Sequence, residues 1–181
     1  LLTAPAMLDR SFDFEEREFE QIVELSQKST PVVILDLPHE WTAWVRYTIA
    51  TIDEIVIVAE PDLANLRNAK NLSDTIKALR PAESEPLLVV NRVGVPRRPA
   101  IAPGEFATSV ECRLLGQIGF DAATFGTAAN NGQMIAEVAA SNKANEVFRL
   151  IGMHVTGRTA PERAAARAAG LKLPFLKKKR A

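Results

Sequence analysis

Two apolar runs in this chain break off in the same manner. Val32-Val33-Ile34-Leu35 stops at Asp36, and Leu87-Leu88-Val89-Val90 stops at Asn91. A short run with no polar alternation reads as a strand buried on both faces, the habit of parallel sheets. The pattern predicts strands over 32–36, 54–59, 87–91 and 114–118, with Ile55, Val56, Ile57 and Val58 consecutive in the second. Between them the apolar positions recur at helical spacing. Helices are expected over 13–28, where Phe12, Phe19, Ile22 and Val23 recur, over 41–52, and from a cap at Asp62 to about 79.

Residues 81–86 read as a polar loop and 95–103, with three prolines and two arginines, as an extended one. A short helix begins near Pro103, which suits a first turn. Two helical pieces over 121–138 are separated by Asn130-Asn131-Gly132. A helix over 141–158 packs Val147, Leu150 and Ile151. An Ala/Arg-rich helix over 161–169 and a basic tail over 171–181 follow. Leu1-Leu2-Thr3-Ala4 reads as the end of a strand already in progress, so the chain is expected to begin inside a larger protein. The fold class expected is α/β, a three-layer sandwich with a mostly parallel sheet of about five strands joined by right-handed crossovers.

Composition narrows this picture. The chain has 181 residues, 47% hydrophobic and 24% charged, the profile of one globular domain. Cys112 is the only cysteine, so no intramolecular disulfide forms and a reducing, cytoplasmic setting is the simplest expectation. No apolar run approaches the roughly 18 residues of a membrane-spanning helix. The net charge of zero conceals an asymmetry. Residues 158–181 hold eight basic side chains and one acidic, a net of +7, which leaves −7 on the rest. The tail, not the body, would favour an anionic surface, and 171–181 could meet anionic lipid, although a solvated tail is the plainer reading.

In a parallel sheet, ligands gather at the carboxyl ends of the strands. An acid there, Asp36, suits magnesium, which takes hard oxygen donors, or else it caps a turn. An amide there, Asn91, offers both a donor and an acceptor to a nucleobase edge, and Arg92 could lie flat on a base or pair with an acid. Polar residues also end strands for no functional reason. Asp121 after the last strand reads as a cap or a site residue. His39, His154 and Cys112 are too scattered for zinc, and Cys112 reads as a small core residue. Trp41 and Trp44, three apart on one helix, read as packing.

The order of these motifs adds more than any one of them. Val32 to His39 in Asp-Leu-Pro-His, then Ala59-Glu60-Pro61-Asp62-Leu63 through Arg67-Asn68-Ala69, then Val89-Val90-Asn91-Arg92-Val93-Gly94, then Phe120-Asp121 with Phe125-Gly126-Thr127-Ala128-Ala129-Asn130-Asn131-Gly132-Gln133, resembles the carboxyl-terminal half of MinD/ParA-like ATPases. More narrowly it resembles the CpaE/TadZ proteins of type IVb (Flp/Tad) pilus assembly. The likeness covers 1–158, leaving 159–181 as an appended helix and tail.

The resemblance implies an incomplete P-loop NTPase fold and ATP with Mg2+ as cofactors. It also implies a homodimer that works with the pilus secretion and assembly machinery at the inner membrane or cell pole. Carried over by position, Asp36 is the magnesium-associated acid. Asn91 contacts adenine with Arg92 beside the base, Phe120 and Asp121 belong to the loop near adenine, and Arg67 and Asn68 lie toward the dimer face. The glycine-rich phosphate loop is not among these residues, and Gly119 stands where many relatives have Pro. This chain alone is therefore expected not to hydrolyse ATP.

Three other readings compete. One is a scaffold that keeps the fold without nucleotide. Another is a DNA-partitioning relative, which the acidic body argues against. The last is a receiver domain phosphorylated at Asp36, for which Leu1-Leu2-Thr3-Ala4 offers no acidic cluster.

Overall fold

A computed structural model describes residues 16–82 and 85–157. The expected features at 1–4 and 159–181, and part of the 81–86 loop, lie outside the described residues. In chain order the elements are α1 (Glu16–Ser29), α2 (Ala43–Thr51), β1 (Val56–Ala59), α3 (Leu63–Leu79), β2 (Leu87–Val93), α4 (Pro103–Val110), β3 (Arg113–Gly119), α5 (Ala122–Asn131), α6 (Ile135–Val138) and α7 (Ala144–Val155).

The strands form one parallel sheet in the order β1-β2-β3. β2 lies in the middle, and Leu87, Leu88, Val89 and Val90 are at most 1% exposed. That is why this segment is apolar at every position: both of its faces are covered. On one face Leu88, Val90 and Ile57 meet Val45 and Ile49 of α2, Ile76 of α3, and Phe106 and Val110 of α4. On the other, Val89 and Ile118 meet Ala144 and Val147 of α7, with Phe125 and Ile135 packed beside them. The result is three layers, helices on both sides of a parallel sheet.

The expected strand over 32–36 does not form. A strand exists only through backbone bonds to a neighbour, and among the described residues no strand pairs with this segment. Its apolar side chains are therefore only partly covered, with Ile34 80% exposed, while Leu37 alone packs against the core. Three strands are described where about five were expected. Among the described residues no strand pairs with the outer edge of β1, and Val58 is 62% exposed.

The helices follow their signals closely. Asp62 caps α3 by accepting the Asn65 backbone N–H at 2.8 Å. Pro103 opens α4. Gly132, at φ +62, ends α5 in the left-handed conformation that glycine adopts without steric cost, so Asn130 and Asn131 belong to the last turn of α5 rather than to a linker. Trp41 and Trp44 do not share a helix face, because α2 starts only at Ala43. Trp44 packs against the core and against Phe19 of α1, ring centroids 4.4 Å apart, and Trp41 is 44% exposed. Of the side chains expected to pack from the last described helix, Val147 is buried and Ile151 joins the second cluster, whereas Leu150 remains 38% exposed.

Candidate nucleotide-base site

The carboxyl ends of the three strands come together, and what they carry depends on an irregularity in β2. Val90 pairs with Gln117 and Val93 with Gly119, so β2 uses one more residue than β3 over this stretch. This is a bulge, and Arg92 takes the strain with φ 55, in a region few side chains adopt. The bulge turns Asn91 and Arg92 out of the strand alternation at its carboxyl end. Asn91 Oδ1 accepts the Arg92 backbone N–H at 2.8 Å, which fixes the amide plane and leaves its Nδ2 donors unengaged by that bond.

Arg92 is then held from two sides. Its Nη1 donates to Glu60 Oε1 at 2.7 Å, just past the end of β1. Its guanidinium carbon lies over the Phe120 ring, 5.6 Å from the centroid, just past the end of β3. The Phe120 N–H donates to Val93 O at 2.8 Å, so this ring is tied to β2 by backbone. Glu60 is also bound by Arg98, whose other nitrogen bonds Asp62. The loop carrying Arg98 is pinned again where the Ile101 N–H donates to Pro61 O at 2.9 Å.

The electrostatics follow from these contacts. Arg98 first, and then Arg92, hold the Glu60 carboxyl below the usual carboxylate range. The Asn65 backbone N–H does most to lower Asp62. Asp121 is also lowered, chiefly by Thr124, whose N–H it accepts at 3.0 Å as the cap of α5. Its second oxygen accepts from Asn142 Nδ2 at 2.9 Å, which ties α5 to the turn before α7.

Asn91, Arg92 and Phe120 are thus brought together, with Asp121 beside them but spent on capping. Asp36 is not joined to them by any regular element. It is an exposed carboxylate in the unpaired 32–38 segment, and among the described residues no three potential metal ligands converge. It offers one hard oxygen donor and does not make a metal site by itself. Cys112 is buried with Sγ 3.4 Å from Ser73 Oγ, and burial pushes its thiol up, as befits a core residue. His154 lies near Arg113 and Glu54, at the opposite end of the sheet from Asn91 and Phe120.

Glu60 and Arg98 are the residues that sequence reasoning passed over. Two acids directly after one strand, and two arginines after the next strand, were the available signal.

The arrangement suits a flat heterocycle. A guanidinium anchored along one edge by a carboxylate keeps a face for stacking, and the Arg92 side chain is 48% exposed. Beside it, Asn91 can address a base edge.

No family model matches the sequence, and no curated protein matches it significantly. Among solved structures, a ParA family ATPase from Chlorobium tepidum TLS has a similar fold, with a TM-score of 0.64 and 18% identity over 83% of this chain and 60% of that one. The α/β architecture is therefore that of a ParA-like fold, and the chain spans about three fifths of the length of that neighbour.

Proposed function

We propose that this chain is the carboxyl-terminal part of a MinD/ParA-type nucleotide-binding domain, and that the β2 bulge holds the adenine of ATP. The observation that carries this reading is the bulge itself. It spends backbone strain on Arg92 to set Asn91 and Arg92 at the ligand end of a parallel sheet, against Phe120. Asn91 reads the base edge, Arg92 stacks on the ring, and Phe120 backs the arginine. Asp36 is the proposed magnesium-associated acid, one hard donor among waters and nucleotide phosphates. When bound, the ion would neutralise phosphate charge.

Within this superfamily the motif order over 32–39, 59–69 and 120–134 favours the CpaE/TadZ branch, and so a role in type IVb pilus assembly and polar localisation. A homodimer is proposed through the first turns of α3, where Leu63 is 76% exposed and Arg67 and Asn68 face outward. The basic segment 171–181 is proposed to meet anionic lipid at the inner membrane.

A second reading has its own observation. Glu60, Arg92, Arg98 and Asp62 pair with one another, as a scaffold that keeps the fold without nucleotide would require. Calorimetric titration with ATP and GTP separates the two. The nucleotide reading expects preference for ATP, weakened about tenfold in Asn91→Ala, since losing one good bidentate base contact costs about 1–3 kcal/mol. Equal, or absent, response to both nucleotides would favour the scaffold. A fluorescent fusion in a pilus-forming bacterium tests the finer role, which requires a polar focus rather than diffuse signal.

A further inference from the structure

We propose that Glu60 and Arg98 are positioning residues that hold the Arg92 guanidinium in place for a planar ligand. The proposal rests on the base-holding reading above and adds to it a reason why Arg92 stays put. Arginine side chains are long and lose rotamer freedom when fixed. An arginine at a bulge, half exposed, would ordinarily sample many orientations.

Here a relay of contacts restricts it. Arg92 Nη1 donates to Glu60 Oε1 at 2.7 Å, which leaves the second Glu60 oxygen to Arg98. Arg98 in turn bonds Asp62. Asp62 is fixed by the first turn of α3, accepting the Asn65 N–H at 2.8 Å and the Asn65 Nδ2 at 3.0 Å. The loop bearing Arg98 is tied down by Ile101 to Pro61 O at 2.9 Å. The Glu60 side chain is 25% exposed and that of Asp62 20%, so the two acids are the better sheltered members and the arginines face outward.

The relay therefore runs from a helix terminus, through two carboxylates and one arginine, to the arginine that faces the ligand. Glu60 fixes one edge of the guanidinium and Phe120 lies against one face. The Arg92 side chain is 48% exposed, and an aromatic ring stacked on the face away from Phe120 would sandwich the cation between two π systems. Neither Glu60 nor Arg98 needs to touch that ring. Their effect is to reduce the freedom Arg92 loses when the ring arrives.

The test uses the full chain labelled with nitrogen-15, observed through its arginine guanidinium Nη–H signals and titrated with adenosine monophosphate. The Arg92 signal is identified by its loss in Arg92→Lys. We expect a resolved, exchange-protected Arg92 signal that joins the mobile arginines in Glu60→Gln and in Arg98→Met, with backbone amide dispersion unchanged. The same variants should bind the nucleotide about twofold to fivefold more weakly, the scale of an exposed ion-pair contact. Lys77→Gln, outside the relay, should change neither. An Arg92 signal already mobile in the unaltered chain would overturn the proposal whatever the chain binds. So would loss of that signal in Glu60→Gln with nucleotide affinity unchanged. A protected signal lost in Glu60→Gln, in a chain that binds no adenosine monophosphate, would leave the positioning intact and remove the base-holding reading alone.

Discussion

A Cβ placed on Gly116 would lie 2.8 Å from Cγ1 of Val147, closer than side-chain atoms approach. Helix α7 thus rests on β3 at a residue with no side chain, and this contact sets how near the helix lies to the sheet. Gly116→Ala should destabilise the fold by about 1–3 kcal/mol through overpacking. Gly116→Ala with Val147→Ala should recover part of that loss, because the clashing methyl groups are gone. Urea denaturation of the two variants checks this, and a loss fully additive with that of Val147→Ala alone would refute the steric account.

Phe106 is the largest side chain with no exposure, set between α4 and the β2 face that carries Leu88 and Val90. Phe106→Ala should cost about 3–5 kcal/mol, transfer and cavity together. Thermal unfolding followed by circular dichroism gives the readout. A shift near zero would mean that this face of the sheet is not the main core.

Asp62 carries two roles that one pair of substitutions separates. Asparagine caps helices about as well as aspartate, whereas alanine loses the cap at a cost of about 0.5–2 kcal/mol. Asp62→Asn should keep the stability of α3 while removing the Arg98 ion pair, and Asp62→Ala should lose both. Hydrogen exchange at Asn65 and Leu66 reports the cap directly. Equal protection in both variants would show that the carboxylate does not act there.

Acid should loosen the α3–α4 junction. Lys70 and Lys77 bind the two oxygens of Glu111, at 2.9 Å each, and hold its carboxyl down to about 2. A carboxyl lowered in the folded state contributes stability that is present above its unfolded value, near 4.5, and is lost as pH falls toward about 2. Glu60, Asp62 and Asp121 shift in the same direction and add to the slope. Stability measured from pH 5 down to about 2 should therefore fall less steeply in Glu111→Gln than in the unaltered chain. Parallel curves would show that the lysine contacts contribute nothing. Added salt should flatten both curves, since the pairs are exposed.

How much of this was legible in the sequence depends on whether a feature is local. The strands at Leu87 and Ile57, the Asp62 cap, Pro103 and Gly132 were all readable, because burial on two faces, an orphan N–H, a fixed φ and a positive φ each act within a few residues. The segment 32–36 misled for the same reason. Its composition is that of a buried strand, but strand formation belongs to a pair, and no partner strand lies among the described residues. The spacing of Trp41 and Trp44 fits one helix face, yet the chain turns helical only at Ala43.

The site divides along the same line. Asn91 and Arg92 could be named from their place at a strand end, and Phe120 only through the family resemblance. The Glu60–Arg98 contact could not, because its partners stand 38 residues apart and meet only through the path of the 94–102 loop. The β2 bulge was equally hidden. Nothing in Asn91-Arg92-Val93 marks a left-handed arginine, since glycine or asparagine is the usual occupant.

Substitution at the bulge should separate stability from binding. Arg92→Gly should relieve the positive φ, offsetting the lost ion pair, so unfolding should change little. Adenine-nucleotide affinity should fall with the stacking group gone. Calorimetric titration alongside denaturation measures both, and a strongly destabilised variant would mean that the arginine's contacts outweigh its backbone strain.

Amide mapping by nuclear magnetic resonance shows whether the carboxyl ends of β1, β2 and β3 form an adenine-binding surface. On titrating the nitrogen-15-labelled chain with ATP, saturable shifts should concentrate at Asn91, Arg92, Gly94, Phe120 and Asp121, and Asn91→Ala should abolish them. No shifts at millimolar ATP, or shifts centred instead on Arg113 and His154 at the opposite end of the sheet, would contradict it.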